Sequence, residues 1–201
     1  MAIARLPRHR PRELFQRHWP ALLLALPSLA IALLGEPANA LLRFDRAAID
    51  QGEWWRFLSG NLAHLGWSHT LLNLAGLGLI WGLFATVFGT RGWLIIMLVS
   101  GLGVTLGLWF LNPQLQWYVG LSGLLHGLFV AGAIGAIRRG ENREGILLAA
   151  IVIKLVWEQT VGPLPGTAEM ADGPVIVDAH LYGAISGALI ALCLKPRMWC
   201  D

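Results

Sequence analysis

The sequence predicts an all-α membrane protein that crosses the bilayer several times, and three observations support this class. First, 56% of the 201 residues are hydrophobic and only 13% are charged, whereas soluble domains contain about 25% charged residues. Second, the mean hydropathy is +0.60. Third, the apolar residues fall into six segments, each close to the roughly 20 residues that a helix needs to span a bilayer. We therefore expect one polytopic domain of six transmembrane helices.

The N-terminal part combines a basic segment with the first apolar segment. Residues 1–18 carry five arginines and one glutamate, which predicts a basic cytoplasmic tail ahead of a membrane domain over residues 19–201. Residues 19–34 are apolar, and Ala38-Asn39-Ala40 has the small-residue pattern of a signal-peptide cleavage site. Two interpretations are open, a removed signal peptide and a retained first helix. We favour retention, because the chain that follows is itself a membrane bundle.

Residues 36–63 are expected to form a long loop on the outer side of the membrane. The segment mixes charged residues with aromatic ones, including Trp54 and Trp55. Tryptophan is typical of the membrane–water boundary, and a loop of this length inside a compact bundle is usually functional. We expect the loop to lie at the level of the headgroups.

Five further spans are expected, at residues 68–88, 92–111, 121–137, 145–161 and 179–194. With the N-terminus inside, the inner segments hold eleven of the 15 Lys and Arg residues, the outer segments hold three, and Lys154 lies within a span. Positive charge favours the cytoplasmic side, so both termini are expected in the cytoplasm. The basic residues flank apolar spans, so the lipid bilayer is an expected partner and nucleic acid is not.

Glycine recurs at intervals of four residues in four of the predicted spans. The pairs are Gly78/Gly82, Gly103/Gly107, Gly123/Gly127 and Gly183/Gly187. Such pairs let helix backbones pack closely in lipid. Helix packing is therefore the expected role of most of them.

Polar residues inside the apolar segments are the main indication of function, because polar groups in hydrocarbon are costly without partners. Ser122 lies between Gly120 and Gly123, which allow close approach of the backbone. His69 and Asn73 are four residues apart and share a helix face, and His180 opens the last span. Each residue alone is explained more simply by helix packing or by a hydrogen-bonded structural histidine.

The predicted topology brings these residues to one depth. Ser122, His69 and His180 each lie early in a span that is entered from the outer side. A histidine at that depth can be the base that makes serine nucleophilic. His69 and Asn73 can donate to an oxyanion, together with the backbone N–H of Ser122 at a helix N-terminus. The combination predicts acyl transfer below the outer surface of the membrane.

In this order along the chain, the motifs resemble those of the rhomboid intramembrane serine proteases. The matching residues are Trp55-Arg56, His64, His69-Thr70-Leu71-Leu72-Asn73, Gly120-Leu121-Ser122-Gly123 and Ala179-His180, followed by Gly183 and Gly187. The resemblance covers nearly the full length and implies a six-helix rhomboid-like bundle. It implies a catalytic dyad of Ser122 and His180, and an oxyanion site of His69, Asn73 and the Ser122 amide. Supporting roles are implied for His126, Gly120, Gly123, His64, Trp55 and Arg56.

The resemblance also implies where and on what the protein acts. It implies a water-filled cavity that opens to the periplasmic side, since polar groups are tolerated at membrane depth where they line such a cavity. The substrate would be a transmembrane protein, cut near the outer face. No cofactor and no metal is expected.

One departure from the family pattern concerns the fourth residue after the nucleophile. Rhomboids commonly carry a tyrosine there, stacked on the catalytic histidine, whereas this chain has His126. An imidazole can stack in the same way but also titrates. The form Gly-Leu-Ser-Gly-x-Leu-His-Gly is similar to the rhombosortase branch of bacterial rhomboids. This resemblance implies a location in a bacterial inner membrane. That branch is associated with substrates that carry a C-terminal Gly-rich motif, a single span and a basic tail.

Three further features have structural expectations. Lys154 and Glu158 lie four residues apart in the fifth span and are expected to neutralise each other; a role in gating or substrate reception stays open. Asp178 is expected to cap the last span rather than to join His180. Cys193 and Cys200 are expected to be free thiols.

Three other functions are alternatives to proteolysis. A non-catalytic rhomboid-like protein would bind membrane clients without cutting them, but such proteins typically lack the serine or the histidine. A metal site would have to be built from His64, His69, His126 and His180, and we expect no carboxylate beside these histidines. A transporter has little support from the one intramembrane ion pair.

Overall fold

In the computed structural model, which describes residues 11–197, the chain is almost entirely helical. The helices are α1 (Pro11–Leu34), α2 (Glu36–Leu42), α3 (Arg46–Asp50), α4 (Arg56–Ser59), α5 (Trp67–Phe84), α6 (Thr90–Leu111), α7 (Ser122–Arg138), α8 (Glu144–Thr160), α9 (Thr167–Met170) and α10 (Val177–Cys193). Two short strands, β1 (Phe44–Asp45) and β2 (Trp117–Tyr118), pair antiparallel, with Phe44 opposite Tyr118. The predicted all-α class is confirmed.

The long helices occur where the sequence predicts spans. Helices α6, α7, α8 and α10 begin and end within two residues of the predicted segments, whereas α5 ends four residues early, at Phe84. The turn after α5 is held by the Trp93 indole of α6, which donates to the carbonyl of Ala85 (3.3 Å). Within residues 11–197, only α6 is both long enough and apolar enough to cross a membrane by length and composition; residues 18–34 of α1, α7 and α10 are apolar but shorter.

Helix α1 begins earlier than predicted. It starts at Pro11, inside the segment expected to be a basic tail, and the rest of that tail lies outside the described residues, as does Cys200. Proline suits the first turn of a helix, where its missing N–H has no intrahelical partner. Leu24 and Ile31 of α1 are buried. The first apolar segment therefore packs as part of the bundle, and α5 is among its neighbours.

The central contact of the bundle is made by glycines of α7 and α10. A Cβ atom added at Gly127 would lie 2.7 Å from the Gly183 carbonyl oxygen, and one added at Gly183 would overlap the carbonyl oxygen of Gly123. The two helix backbones therefore touch, and the packing role predicted for these pairs is confirmed. This contact brings the start of α7 beside the start of α10.

The other two glycine pairs differ from each other. Gly103 and Gly107 of α6 face Ser186 and Tyr182 of α10, and a Cβ atom at Gly107 would lie 3.1 Å from the Tyr182 Cβ. A Cβ atom at Gly78 or Gly82, by contrast, would meet nothing within 4 Å. Close packing is therefore confirmed for the α6 pair, whereas Gly78 and Gly82 are the exception, because their face of α5 is open.

Residues 36–63, the segment predicted to be the outer loop, form an ordered scaffold around Arg56. This side chain is only 6% exposed and donates to the carbonyl oxygens of Ala40 (2.9 Å) and Arg43 (2.8 Å). It also forms an ion pair with Glu53 at 2.6 Å. The supporting role implied for Arg56 is therefore to hold the loop, whereas its neighbour Trp55 is 49% exposed.

The same loop is fastened to the C-terminal end of α6 by Arg46. Its guanidinium donates to the carbonyl oxygens of Leu108 (3.1 Å), Trp109 (3.1 Å) and Asn112 (3.2 Å). The last carbonyls of a helix lack intrahelical donors, and a cation there is favourable by about 0.3–1 kcal/mol. The loop therefore has a fixed position above α6.

Asp178 does not cap α10 as expected. The helix begins at Val177, and the residue at the N-cap is Ile176, with no side-chain cap. Asp178 instead accepts from Asn112 Nδ2 (2.6 Å), and the Tyr182 hydroxyl donates to Asn112 Oδ1 (2.7 Å). A tertiary partner that directly follows α6 has replaced the local cap, and it ties the start of α10 to the end of α6.

The glycine contact between α7 and α10 gives the first prediction. Gly183→Ala places a methyl group against the Gly123 backbone, which costs about 1–3 kcal/mol because neither helix can move without repacking. We expect a lower melting temperature of the purified protein in detergent. The matched control is Gly78→Ala, which has open space and should keep or slightly raise the melting temperature. Equal melting temperatures for the two variants would contradict this account.

Candidate active site

Ser122 is the first residue of α7 and follows an unusual backbone conformation. Gly120 has φ 136°, a region that L side chains rarely adopt. Its amide donates to the Gly60 carbonyl (3.2 Å), and its carbonyl accepts from the Tyr118 hydroxyl (2.7 Å). A Cβ atom at Gly120 would lie 3.1 Å from His69 Cε1. The chain therefore passes directly beside His69 and then begins the helix at Ser122.

Ser122 meets His180 at the start of α10. The Ser122 Oγ lies 3.0 Å from Nε2 of His180, and Nδ1 of the same ring lies 2.9 Å from Oε2 of Glu158. His180 is 5% exposed and Glu158 is 2% exposed. The hydroxyl and the imidazole are thus in contact, and a buried carboxylate accompanies them.

Three more hydrogen bonds lead from Glu158 back to Ser122. The Lys154 Nζ lies 2.6 Å from Glu158 Oε1 and 3.0 Å from His126 Nε2. The His126 Nδ1 lies 2.7 Å from the Ser122 carbonyl oxygen. The His126 and His180 rings are stacked, with centroids 4.1 Å apart and planes at 15°. We call Ser122, His126, Lys154, Glu158 and His180 the five-residue ring.

Donor and acceptor chemistry assigns the protons in the five-residue ring. A carbonyl only accepts, so His126 donates from Nδ1 to Ser122 and keeps Nε2 as an acceptor. The Lys154 ammonium only donates, to that nitrogen and to Glu158. The carboxylate only accepts, so His180 donates from Nδ1. Its Nε2 is then free of hydrogen and accepts from the Ser122 hydroxyl, which is the tautomer that a general base needs.

His69 and Asn73 of α5 supply donors to the same cavity. The Leu65 amide donates to His69 Nδ1 over 3.4 Å, so the proton of the neutral ring is on Nε2. Asn73 Nδ2 donates one hydrogen to the His69 carbonyl (3.0 Å) and keeps a second. The Ser122 amide lies in the first turn of α7, where N–H groups have no intrahelical acceptor. The residues that line the cavity therefore include three with an available N–H donor.

The cavity that these residues line has a volume of about 410 Å³. Its walls come from α5, α7, α8 and the segment 167–176 that precedes α10. The polar lining includes His69, Asn73, Ser122, His126, Lys154, Glu158 and His180. The apolar lining includes Leu72, Leu79 and Ile80 of α5, Leu125 and Phe129 of α7, and Ile151 of α8. One cavity therefore combines a cluster of reactive groups with a long apolar wall.

His64 supports His69 from behind and is not among the residues that line the cavity. Its Nδ1 donates to the Leu62 carbonyl (3.0 Å), and its ring lies edge-on to the His69 ring, 5.0 Å between centroids. Burial, with a smaller contribution from neighbouring His69, lowers the pKa of His64 to about 3. His64 is therefore a neutral packing partner at ordinary pH.

The predicted residues thus separate into two groups. Ser122, His180, His69, Asn73, His126 and Gly120 come together around the cavity. The others lie away from it: Gly123 packs against α10, where an added Cβ would be 2.8 Å from the Ala179 carbonyl oxygen, and Trp55 and Arg56 belong to the outer loop. The expected Lys154–Glu158 ion pair is confirmed.

Sequence reasoning missed Glu158 as a partner of His180, and the expectation that no carboxylate accompanies the histidines is wrong. A signal was present, because Glu158 lies near the end of one predicted span and His180 near the start of the next, which predicts the same depth for both. Tyr118 was also missed. Burial raises the pKa of Tyr118, so its hydroxyl stays protonated and fixes the Gly120 carbonyl.

The five-residue ring also contains a trio of potential metal ligands. Ligand atoms of His126, Glu158 and His180 lie within 4.8 Å of one another. The Lys154 ammonium already forms hydrogen bonds with both His126 and Glu158. Its positive charge would repel a divalent metal ion bound to the same residues. The donor set therefore fits an ammonium group rather than a metal.

The lowered pKa of His64 gives the second prediction. The unfolded chain takes up a proton at this residue near pH 6.5, whereas the folded protein does so only near pH 3. The unfolded state therefore binds more protons as the pH falls below 6.5, and stability decreases by up to about 1.4 kcal/mol per pH unit. We expect His64→Gln to weaken the fall in melting temperature between pH 6.5 and pH 4.5. The control is His18→Gln, at an exposed residue of α1; an unchanged pH dependence in His64→Gln would count against the assignment.

Comparison with known proteins identifies the family. Residues 51–197 match the family described as Rhomboid domain. The chain is 24% identical to the protein named Putative rhomboid protease YdcA of Bacillus subtilis (strain 168), over 92% of this chain and 94% of that protein. It is 29% identical to Rhomboid-like protein 11, chloroplastic, of Arabidopsis thaliana, over 71% of this chain and 53% of that protein. The chain is therefore a membrane protein that belongs to the rhomboid family.

Proposed function

We propose that the protein is an intramembrane serine endopeptidase in which Ser122 is the nucleophile and His180 is the general base. The observation that carries this proposal is the 3.0 Å contact between Ser122 Oγ and His180 Nε2 inside a cavity of about 410 Å³. Membership of the rhomboid family supports it. The tautomer of His180 supports it as well, because Nε2 faces the hydroxyl without a hydrogen.

The reaction that fits this geometry proceeds in two halves. In the first, the Ser122 proton passes to His180 Nε2 as Oγ forms a bond to the scissile carbonyl carbon. The C–N bond then breaks, and the leaving amine takes the proton from His180. In the second half, water loses a proton to His180 and attacks the acyl carbon, which releases the new carboxyl group and restores the Ser122 hydroxyl.

We assign stabilisation of the oxyanion to His69, Asn73 and the backbone N–H of Ser122. Each has an N–H group at the cavity that is not committed elsewhere by the contacts above. Fixed donors of this kind act on the charge that develops at the carbonyl oxygen, and removing one typically costs about 10²–10³-fold in rate. His126 and His64 are proposed to hold the His180 and His69 rings in place.

We propose that α1, α5, α6, α7, α8 and α10 are six spans, with both termini in the cytoplasm of a bacterium. Helices of 17 residues, such as α7 and α10, reach about 26 Å at 1.5 Å per residue, which is near the lower limit for a span. The excess of basic residues on one side supports this orientation. The cavity then opens to the periplasmic side of the inner membrane.

The proposed substrate is a surface or secreted protein with one C-terminal transmembrane anchor. The apolar side chains from α5 and α8 that line the cavity suit a segment that arrives from the lipid. A peptide bond must leave its helix to reach Ser122, and a Gly-rich segment does so at low cost because glycine is a weak helix former. The form Gly-Leu-Ser-Gly-x-Leu-His-Gly around Ser122 and His126 also supports a rhombosortase-like preference for Gly-rich anchors.

The alternative is a rhomboid-like protein that binds membrane clients without cutting them. It has no specific observation in its favour, because the serine and the histidine that such proteins typically lack are both present and in contact. Labelling by a fluorophosphonate probe separates the two functions. A protease reacts at Ser122, whereas a binding protein does not.

The third prediction tests the proteolytic function in cells. The reporter is a secreted protein with a Gly-rich motif, one transmembrane segment and a basic tail at its C-terminus. We expect the wild-type chain to release it, and Ser122→Ala and His180→Ala to abolish release while accumulating normally in the membrane. Ser100→Ala is the matched control, since this buried serine has no hydrogen-bond partner and lies in α6. Undiminished release by Ser122→Ala or His180→Ala would reject the dyad.

A further inference from the structure

The Glu158 carboxylate makes a contact with His180 that an ion pair with Lys154 alone does not require. Lys154 uses only one carboxylate oxygen, Oε1, at 2.6 Å. The other oxygen, Oε2, lies 2.9 Å from Nδ1 of His180. The Glu158 side chain is 1% exposed, whereas that of Lys154 is 26% exposed. The carboxylate is therefore fixed at two points, between an ammonium group and the ring that contacts Ser122.

We infer that Glu158 is a positioning residue for the proposed hydrolysis, and that Ser122, His180 and Glu158 act as a triad whose carboxylate is oriented by Lys154. This inference rests on the proposed function of the same site. It assigns to the ion pair of α8 a role in the reaction in addition to charge neutralisation.

The first contribution of Glu158 is to select the tautomer of His180. A carboxylate can only accept, so it requires the hydrogen of the neutral ring on Nδ1 and leaves Nε2 free. The second is electrostatic. When His180 takes the Ser122 proton it becomes an imidazolium, and the negative charge 2.9 Å away stabilises it. The proton stays on His180 until the leaving amine takes it, and none passes to Glu158.

The contribution of Lys154 is to fix the orientation of the side chain at position 158. The ammonium demands an acceptor, and Glu158 satisfies it with Oε1. In Glu158→Gln, the amide would turn its only oxygen toward Lys154 and its NH₂ group toward His180. The His180 Nδ1 would then have to accept, its hydrogen would move to Nε2, and the ring would lose the acceptor that Ser122 needs.

The competition between Lys154 and His180 for the single amide oxygen of the Glu158→Gln variant predicts that a second substitution restores reactivity. In the double variant Lys154→Met with Glu158→Gln, the ammonium is gone, and the amide oxygen is free to face His180 again. The correct tautomer returns although the negative charge does not. Reactivity should therefore recover in part, whereas a purely structural role of the ion pair predicts that the second substitution adds to the damage.

The experiment measures phosphonylation of Ser122 by a fluorophosphonate probe on the full chain in detergent. In this reaction the Oγ–P bond forms, the P–F bond breaks and the hydroxyl proton passes to His180, so the first half of the proposed chemistry is reproduced. The maximal rate of inactivation, kinact, and the probe concentration for half-maximal rate, KI, are measured separately, together with the melting temperature. Glu144→Gln is the matched control, since it makes the same change in the first turn of α8, about 21 Å from Glu158 at 1.5 Å per residue.

We expect Glu158→Gln to lower kinact by about 100-fold or more, as loss of the orienting carboxylate does in triads, with KI within about twofold of the wild type. The kinact of the double variant should be at least tenfold higher than that of Glu158→Gln. Glu144→Gln should react like the wild type. Glu158→Asp, which withdraws the carboxylate by one methylene group, should have a kinact between those of the wild type and Glu158→Gln. If Glu158→Gln does not fold, the kinact of Glu158→Asp tests whether the carboxylate positions His180.

Two results would overturn the triad while leaving the protease intact. One is a kinact of Glu158→Gln, or of Glu158→Asp if only that variant folds, equal to that of the wild type. The other is a loss in Glu158→Gln that the double variant does not recover. Failure of the wild-type protein to react at Ser122 is a different result, because it rejects the proposed function and the triad together.

Discussion

The direct backbone contact between α7 and α10 is the constraint on which the site depends. Ser122 and His180 lie 58 residues apart in the chain and both have short reach, so their helices must approach more closely than ordinary side chains allow. Gly123 and Gly127 on one helix and Gly183 on the other make that approach possible. The result is the 3.0 Å contact between the hydroxyl and the imidazole, which the Asn112–Asp178 bond helps to hold by anchoring the start of α10.

The second constraint is electrostatic, because a charge that is buried away from water is costly unless it is paired. Lys154 and Glu158 compensate each other at 2.6 Å, and the neutral rings of His126 and His180 use their remaining donors and acceptors. The five-residue ring therefore carries one positive and one negative charge and leaves the His180 Nε2 for Ser122. The same contacts that make the charges tolerable also set the tautomer of His180.

Much of this arrangement could be predicted from the sequence, since it follows from apolar length and from topology. The apolar segments predicted the positions of α6, α7, α8 and α10, and topology placed Ser122, His69 and His180 at one depth. The resemblance to the rhomboid proteases then singled out His180 as the partner of Ser122. The contact between Glu158 and His180 was not predicted. Lys154 and Glu158 lie four residues apart on one helix, and their mutual neutralisation already explains why both charges are present. The Asp178 bond to Asn112 and the Arg46 contacts with α6 depend on tertiary neighbours, which local patterns do not specify.

The most direct test of the central claim is an experimental structure of the protein after reaction with diisopropyl fluorophosphate. We expect phosphorus bonded to Ser122 Oγ, with the phosphoryl oxygen within about 3 Å of the Ser122 amide and of a donor from His69 or Asn73. An adduct at another residue, or a phosphoryl oxygen that points away from these three donors, would contradict it.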